Sequence, residues 1–85
     1  MRQFEYTITD PMGMHARPAG QFVKEATGYE SNITLTKQDK CVDAKKIFRI
    51  MGLSVKCNET VTITVEGPDE AAAAEKLEAF MKENM

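Results

Sequence analysis

The sequence predicts an α+β fold, an open-faced two-layer sandwich in which three helices cover one face of a four-stranded antiparallel sheet. Two observations predict it. Each strand-like stretch alternates apolar and polar residues and has one apolar face only, which is typical of an antiparallel sheet with one face open to water. Each helical stretch carries one apolar stripe that must pack on another layer. The predicted order of elements is β-α-β-β-α-β-α.

Length and composition place limits on the class of protein. The chain has 85 residues, of which 42% are hydrophobic, so we expect one small domain with a thin core. It has no apolar run of about 18 residues and no apolar signal segment, so we expect a cytoplasmic protein that is not inserted in a membrane. Cys41 and Cys57 do not form a C-x-x-C pair and only one histidine is present. We therefore expect reduced cysteines and no metal site or cofactor.

Four strands are predicted from alternation, at residues 2–9, 32–36, 40–43 and 60–65. The polar run 37–39 predicts the turn of a hairpin between the middle two strands. The last strand is rich in β-branched residues, which favour a pleated conformation. The residues expected to face the core are Phe4, Tyr6, Ile8, Ile33, Leu35, Val61, Ile63 and Val65.

Three helices are predicted between and after these strands. Pro18 is tolerated only in a first helical turn, so the first helix begins near residue 16 or 17, and Gly28 is predicted to end it in a left-handed conformation. A short second helix is predicted over residues 45–53, and the third begins after the run 67–70. The expected inward stripes are Ala19, Phe22, Val23 and Ala26, then Ile50 and Leu53, then Ala73, Leu77, Phe80 and Met81.

The stretch 12–18 contains the only histidine, His15, at or just before the start of the first helix. Backbone N–H groups in a first helical turn have no helical partner, and the helix dipole adds partial positive charge. These groups bind anions such as a phosphoryl group, and Arg17 adds a permanent cation. The same field favours a neutral imidazole with a free lone pair. The arrangement predicts a phosphoryl acceptor, with an ordinary helix-cap or loop histidine as the alternative.

Charge is unevenly distributed along the chain. Residues 12–56 contain eight Lys/Arg and four Asp/Glu, a net of +4, whereas the remainder has three Lys/Arg and nine Asp/Glu, a net of −6. The overall charge of −2 argues against a nucleic-acid partner. The asymmetry would steer acidic proteins toward His15, although a chance distribution of surface charge is the alternative interpretation.

Apolar residues near His15 allow two interpretations. Met12 and Met14 flank the loop before the helix, where exposed methionines would form an adaptable contact surface and buried ones would pack beneath the loop. Ile47, Phe48 and Met51 form a second apolar stripe on the short helix. That stripe belongs either to the core or to a surface that contacts a partner.

The motif G-M-H-A-R-P-A at residues 13–19 resembles the phosphorylation-site signature of HPr, the histidine-containing phosphocarrier family of the bacterial phosphoenolpyruvate:sugar phosphotransferase system. The similarity continues through residues 22–26, through residues 43–45 with Ile47, and through residues 61–63 to 66–67. It implies the same four-stranded, three-helix fold. It also implies that the chain receives a phosphoryl group from phosphoenolpyruvate through enzyme I and passes it to IIA domains of sugar permeases.

The resemblance also implies roles for particular residues. His15 would be phosphorylated at Nδ1, the pros nitrogen, and Arg17 and the backbone amide of Ala16 would stabilise the phosphoryl oxygens. The chain would be a monomeric carrier with a phosphohistidine intermediate, not a stand-alone enzyme. The partner-binding residues that the resemblance implies are Met14, Gln21, Lys24, Ile47, Phe48 and Met51.

One position departs from the family. Many HPr proteins have a serine at the start of the second helix that a dedicated kinase phosphorylates, and Lys46 stands there in this chain. We therefore predict no regulatory serine at this site. A regulatory paralogue, phosphorylated on His15 but acting in signalling, remains an alternative function. A binding module that is never phosphorylated fits poorly with the presence of His15, Arg17 and Pro18 together.

Overall fold

The computed structural model describes residues 1–85 and confirms the predicted order of elements. The four strands form one antiparallel sheet in the order β1-β4-β2-β3. The helices contact one another and the sheet in a single apolar cluster. The elements are β1 (Arg2–Thr7), α1 (Ala16–Thr27), β2 (Asn32–Lys37), β3 (Lys40–Asp43), α2 (Ile47–Met51), β4 (Thr60–Glu66) and α3 (Glu70–Asn84).

The register of the sheet brings the predicted apolar residues onto one face. Ile63 of β4 pairs with Phe4 on one side and with Leu35 on the other. Neighbouring side chains in such pairs point to the same side of the sheet, so they form one surface for the helices to cover. The helices bury their predicted stripes against it, and the residues with no exposed surface include Ala19, Phe22, Ala26, Ala73, Leu77 and Met81.

Some predicted boundaries differ from the structure. β1 ends at Thr7 because the backbone N–H groups of Thr9 and Asp10 donate to the backbone oxygen of Met85, at 2.6 and 2.9 Å, instead of to β4. α2 is shorter than predicted and begins at Ile47. The left-handed stop predicted at Gly28 is wrong: its φ is −75°, and its N–H donates to the Glu25 carbonyl, which continues the right-handed turn.

None of the helices has the length and apolar character needed to cross a membrane. Both cysteines are free thiols, with Cys41 exposed and Cys57 half-buried. The predicted histidine lies in the loop between β1 and α1.

Candidate functional site

The site loop, residues 9–14, is shaped by Asp10 and Gly13. One carboxylate oxygen of Asp10, Oδ1, accepts the N–H of Met12 at 2.8 Å, and the Asp10 carbonyl accepts the N–H of Gly13 at 2.8 Å. Gly13 has a φ of +70°, and a Cβ there would lie 2.6 Å from the Val55 carbonyl oxygen. Met14 then donates its N–H to the same oxygen at 2.9 Å. The loop is thus fastened to the segment before β4, and glycine is required at the point of closest approach.

That supporting segment is itself held by Lys37 and Glu59. The Lys37 ammonium donates to the carbonyls of Leu53 and Ser54, at 3.0 and 3.1 Å, and lies 3.0 Å from a carboxylate oxygen of Glu59. Glu59 also accepts the backbone N–H of Lys56 at 2.6 Å. The Lys56 N–H, followed by the Lys37 ammonium, holds the pKa of Glu59 below its ordinary value. Residues 53–59 therefore form a fixed support beneath the site loop.

His15 stands directly before α1, as predicted. Its backbone is extended, with φ −79° and ψ 179°, and its carbonyl accepts the N–H of Ala19 at 3.0 Å. The imidazole makes no capping hydrogen bond to the helix, and the side chain is 36% exposed. His15 therefore occupies the N-cap position of α1, but its ring does not cap the helix. Both the ring and the helix start are open to a partner.

The first turn of α1 presents two backbone N–H groups without a hydrogen-bond partner. The N–H groups of Ala16 and Arg17 have no hydrogen-bond partner in the chain, and Pro18 has no N–H to offer. The turn contains no acidic residue, and the exposed Arg17 guanidinium forms no ion pair. Arg17 is helical although residues before proline disfavour helical angles. Two amides and one cation are thus free beside the imidazole.

The two nitrogens of the His15 ring are in different environments. Nε2 lies 3.6 Å from Oδ2 of Asp10, whereas Nδ1 has no acidic neighbour within ion-pair distance. Asp10 was assigned no role from the sequence. The available signal was an acidic residue in a short loop that must turn back toward the histidine, although its distance from the ring depends on the turn that Gly13 allows.

The predicted partner-binding residues separate into exposed and packed groups. Phe48 is 87% exposed and Met51 is 36% exposed, so both present apolar surface to solvent. Gln21 and Lys24 are exposed on α1. Ile47 is only half-exposed because it packs against the core, with its Cδ1 3.8 Å from the position of a Cβ on Gly20. The second apolar stripe is therefore shared between core and surface.

The expectation that Met14 contributes to the contact surface is wrong. Its side chain is only 4% exposed and belongs to the core. The turn at Gly13 and the bond from the Met14 N–H to Val55 direct this side chain inward. Met12, at the tip of the loop, is the exposed methionine at 72%. Lys46 lies exposed directly before α2, where the side chain makes no capping hydrogen bond.

Comparison with known proteins identifies the family. The sequence profile of the family described as "PTS HPr component phosphorylation site" matches residues 2–83. The phosphocarrier protein HPr of Lysinibacillus sphaericus is 40% identical over 83 residues, which are 98% of this chain and 94% of that protein.

Solved structures show the same likeness. HPr-C-His from Thermoanaerobacter tengcongensis matches with a TM-score of 0.94 at 36% identity, covering 99% of this chain and 94% of that one. The Bacillus subtilis catabolite repression protein Crh, solved as a swapped dimer, matches with a TM-score of 0.78 at 39% identity, covering 100% of this chain and 98% of that one. The chain therefore belongs to the HPr family of phosphocarrier proteins of the phosphotransferase system.

Proposed function

We propose that this HPr-family chain carries its phosphoryl group on Nδ1 of His15, receiving it from enzyme I and passing it to IIA domains of sugar permeases. One observation carries the assignment to His15: its exposed ring lies beside an uncapped helix start with two free amides. No other histidine is present in the chain.

The site is suited to in-line transfer between two proteins. The lone pair of Nδ1 attacks phosphorus as the bond between phosphorus and the donor breaks, and the donor atom keeps that electron pair. The N–H groups of Ala16 and Arg17 and the Arg17 guanidinium meet the phosphoryl oxygens. Because these donors are already in place, they stabilise the negative charge with little rearrangement.

Exposure suits a carrier, because the next protein must reach the phosphoryl group. The ring and Arg17 lie at the surface, and the loop beside them is fixed by hydrogen bonds to Val55 and Met85. The receiving protein repeats the in-line attack, and the electron pair of the breaking bond returns to Nδ1. Modest stabilisation by exposed groups allows the phosphoryl group to move in both directions.

Partner proteins would contact the surface formed by Phe48, Met51, Gln21 and Lys24, together with Met12. This surface combines exposed apolar side chains with basic and polar ones. Such a composition suits partners that present an apolar patch with an acidic rim. We propose that the chain acts in the cytoplasm as a monomer, which light scattering of the purified protein tests; a stable dimer contradicts it.

The similarity to Crh favours a second candidate, in which the chain is phosphorylated on His15 but acts in signalling. Incubating the phosphorylated chain with purified IIA domains separates the two. Transfer to a IIA domain supports the carrier function. Phosphorylation by enzyme I without transfer to any IIA domain of the host supports the signalling function.

We also propose that regulation by serine phosphorylation before α2 is absent, because Lys46 occupies that position. Incubation with the dedicated HPr kinase and ATP should leave the mass of the chain unchanged. Because the proposal covers every serine of the chain, phosphate on Ser54 or Ser31 contradicts it.

Incubation with phosphoenolpyruvate and a catalytic amount of enzyme I tests the proposed function. Mass spectrometry should show one added phosphate that is labile in acid and stable in base, as a phosphoramidate is. The His15→Ala variant should fold normally and gain none. Failure of the unmodified chain to gain phosphate, or retention of it in the variant, contradicts the assignment.

A further inference from the structure

The two carboxylate oxygens of Asp10 face different partners. Its Oδ1 accepts the Met12 N–H at 2.8 Å, which fixes the direction in which the carboxylate points. Its Oδ2 lies 3.6 Å from Nε2 of His15. No other acidic side chain lies within ion-pair distance of the ring. One oxygen therefore shapes the loop while the other faces the nitrogen that does not react in the proposed function.

From this geometry we propose that Asp10 is a positioning residue that keeps a proton on Nε2 of His15, so that the lone pair stays on Nδ1. The proposal rests on the proposed function of His15. A neutral imidazole carries its proton on one nitrogen only, and the hydrogen bond or charge beside one nitrogen decides which. A carboxylate oxygen accepts and never donates when ionised, so it favours N–H on the nitrogen that it faces.

The proton on Nε2 matters in both directions of transfer. During acceptance, the Nδ1 lone pair forms the bond to phosphorus, and the ring, still carrying its Nε2 proton, gains positive charge that the Asp10 carboxylate offsets. During donation, that bond breaks and its electron pair returns to Nδ1. The ring then leaves as a neutral imidazole. No proton has to enter or leave the ring, so both steps proceed without a separate acid or base.

Asp10→Asn tests the proposal with little change to the loop. The amide oxygen still accepts the Met12 N–H, and this contact places the NH₂ group toward Nε2. That group donates and cannot accept, so it favours a lone pair on Nε2 and a proton on Nδ1. Asp43→Asn is a matched control, because Oδ1 of Asp43 accepts the N–H of Lys45 at 2.9 Å with the same spacing, on β3 and without contact to His15.

The first readout is the tautomer of His15, measured by ¹⁵N NMR of the ring at about pH 8.5, where an ordinary histidine is neutral. We expect Nε2–H to predominate in the unmodified chain and in Asp43→Asn, and Nδ1–H to predominate in Asp10→Asn. A merely structural role for Asp10 would leave this ratio unchanged. Predominance of Nδ1–H in the unmodified chain, or an unchanged ratio in Asp10→Asn, overturns the proposal.

The second readout is the rate of phosphoryl transfer from phosphorylated enzyme I. We expect Asp10→Asn to slow it about tenfold, because the positive charge that develops on the ring loses its neighbouring carboxylate, and Asp43→Asn to leave it unchanged. A normal rate in Asp10→Asn overturns the role of Asp10 while leaving His15 as the acceptor. Absence of phosphate on the unmodified chain instead contradicts the proposed function.

Asp10→Ser covers the case in which Asp10→Asn does not fold. A serine hydroxyl can accept the Met12 N–H and preserve the turn, but it carries no charge. Thermal unfolding establishes that the variant is folded before its transfer rate is measured. We expect slower transfer and a smaller excess of the Nε2–H tautomer than in the unmodified chain. Equality with the unmodified chain in both readouts overturns the proposal.

Discussion

Two long helices begin in opposite ways in this protein. At α3, Asp69 immediately precedes the helix and its carboxylate accepts the N–H groups of Glu30 and Ser31, at 2.9 and 3.0 Å, and the Ser31 hydroxyl. Glu70, in the first turn, accepts the Gly67 N–H at 3.2 Å. The acidic groups at this helix start are all engaged in binding the chain to itself.

The start of α1 has no acidic side chain. His15 forms no cap, the first turn has no acidic residue, and the amides of Ala16 and Arg17 are unpaired. Neither helix has a side-chain cap, so the two starts differ in their acidic side chains: at α3 Asp69 and Glu70 bind other parts of the chain, whereas no carboxylate occupies the first turn of α1.

Removal of the Arg17 guanidinium, in the first turn of α1, should have the largest effect on the rate of phosphoryl transfer. Arg17→Ala should slow transfer from enzyme I by about 10- to 100-fold, because a charge-assisted bond to the phosphoryl oxygens is lost. Arg2→Ala, which removes an exposed arginine from β1, is the control and should leave the rate unchanged. Equal rates for Arg17→Ala and Arg2→Ala in stopped-flow transfer assays would contradict the account.

A carboxylate in the first turn of α1, as in α3, should raise the stability of the chain and lower the rate of phosphoryl transfer. Ala16→Glu places a carboxylate in the first turn, where it interacts favourably with the helix dipole by about 0.3–1 kcal/mol and competes with the phosphoryl group. We expect a rise in melting temperature of roughly 1–8 °C and a fall in transfer rate of about tenfold. Ala16→Gln supplies the uncharged control. A variant that gains stability and keeps its full transfer rate would show that the helix start does not hold the phosphoryl group.

The exposed surface of α2 should contribute to binding of enzyme I, whereas the exposed surface of α3 should not. Phe48 is 87% exposed, so Phe48→Ala should leave stability within about 0.5 kcal/mol. It should raise the KM for enzyme I about fivefold through loss of apolar contact. Lys76→Ala, an exposed position on α3, should change neither quantity. Titration of the transfer rate with each variant provides the measurement, and an unchanged KM for Phe48→Ala would remove this residue from the contact surface.

Asp69, before α3, should affect how the stability of the chain depends on pH, and it should not affect the rate of phosphoryl transfer. Bonds from the Ser31 hydroxyl and then from the Glu30 backbone hold the pKa of Asp69 below its ordinary value of 3.8. A carboxyl group whose pKa is lowered on folding adds stability above its unfolded pKa and loses that stability as pH falls through the folded pKa. Asp69→Asn should therefore be less stable than the unmodified chain near neutral pH, and its melting temperature should fall less steeply below about pH 4.

Asp39→Asn is the control for this pH dependence, because its side chain lies exposed in the hairpin turn and forms no ion pair. Melting temperatures across the acid range should be the same for Asp39→Asn and for the unmodified chain. An acid dependence of Asp69→Asn as steep as that of the unmodified chain would contradict the role of Asp69. Neither substitution should change the rate of phosphoryl transfer.

The same comparison explains what the sequence could predict. Apolar and polar residues alternate in β4, which specifies the face that is buried. A shift in register by one residue would expose Val61, Ile63 and Val65. The start of α1 follows from Pro18, since its ring and missing N–H allow few positions in a helix. Local sequence therefore sufficed for the sheet, for the helices and for His15 at the helix start.

What the sequence could not predict depends on contacts between distant segments. Met14 is buried and Met12 exposed because the loop is fastened to Val55, which is remote in sequence. The approach of Asp10 to His15 follows from the same fastening. The Gly28 conformation was predicted wrongly because glycine permits a left-handed ending without requiring one, and here the Glu25 carbonyl continues the turn.

The central claim is that the phosphoryl group occupies the open start of α1, and backbone NMR of the ¹⁵N-labelled chain tests it most directly. Phosphorylation by enzyme I should shift the amide signals of Ala16 and Arg17 strongly, because their N–H groups gain an anionic acceptor. The amides of Glu70 and Ala71 in α3 should not move. Unchanged signals for Ala16 and Arg17 in a chain that mass spectrometry shows to be phosphorylated would contradict the account.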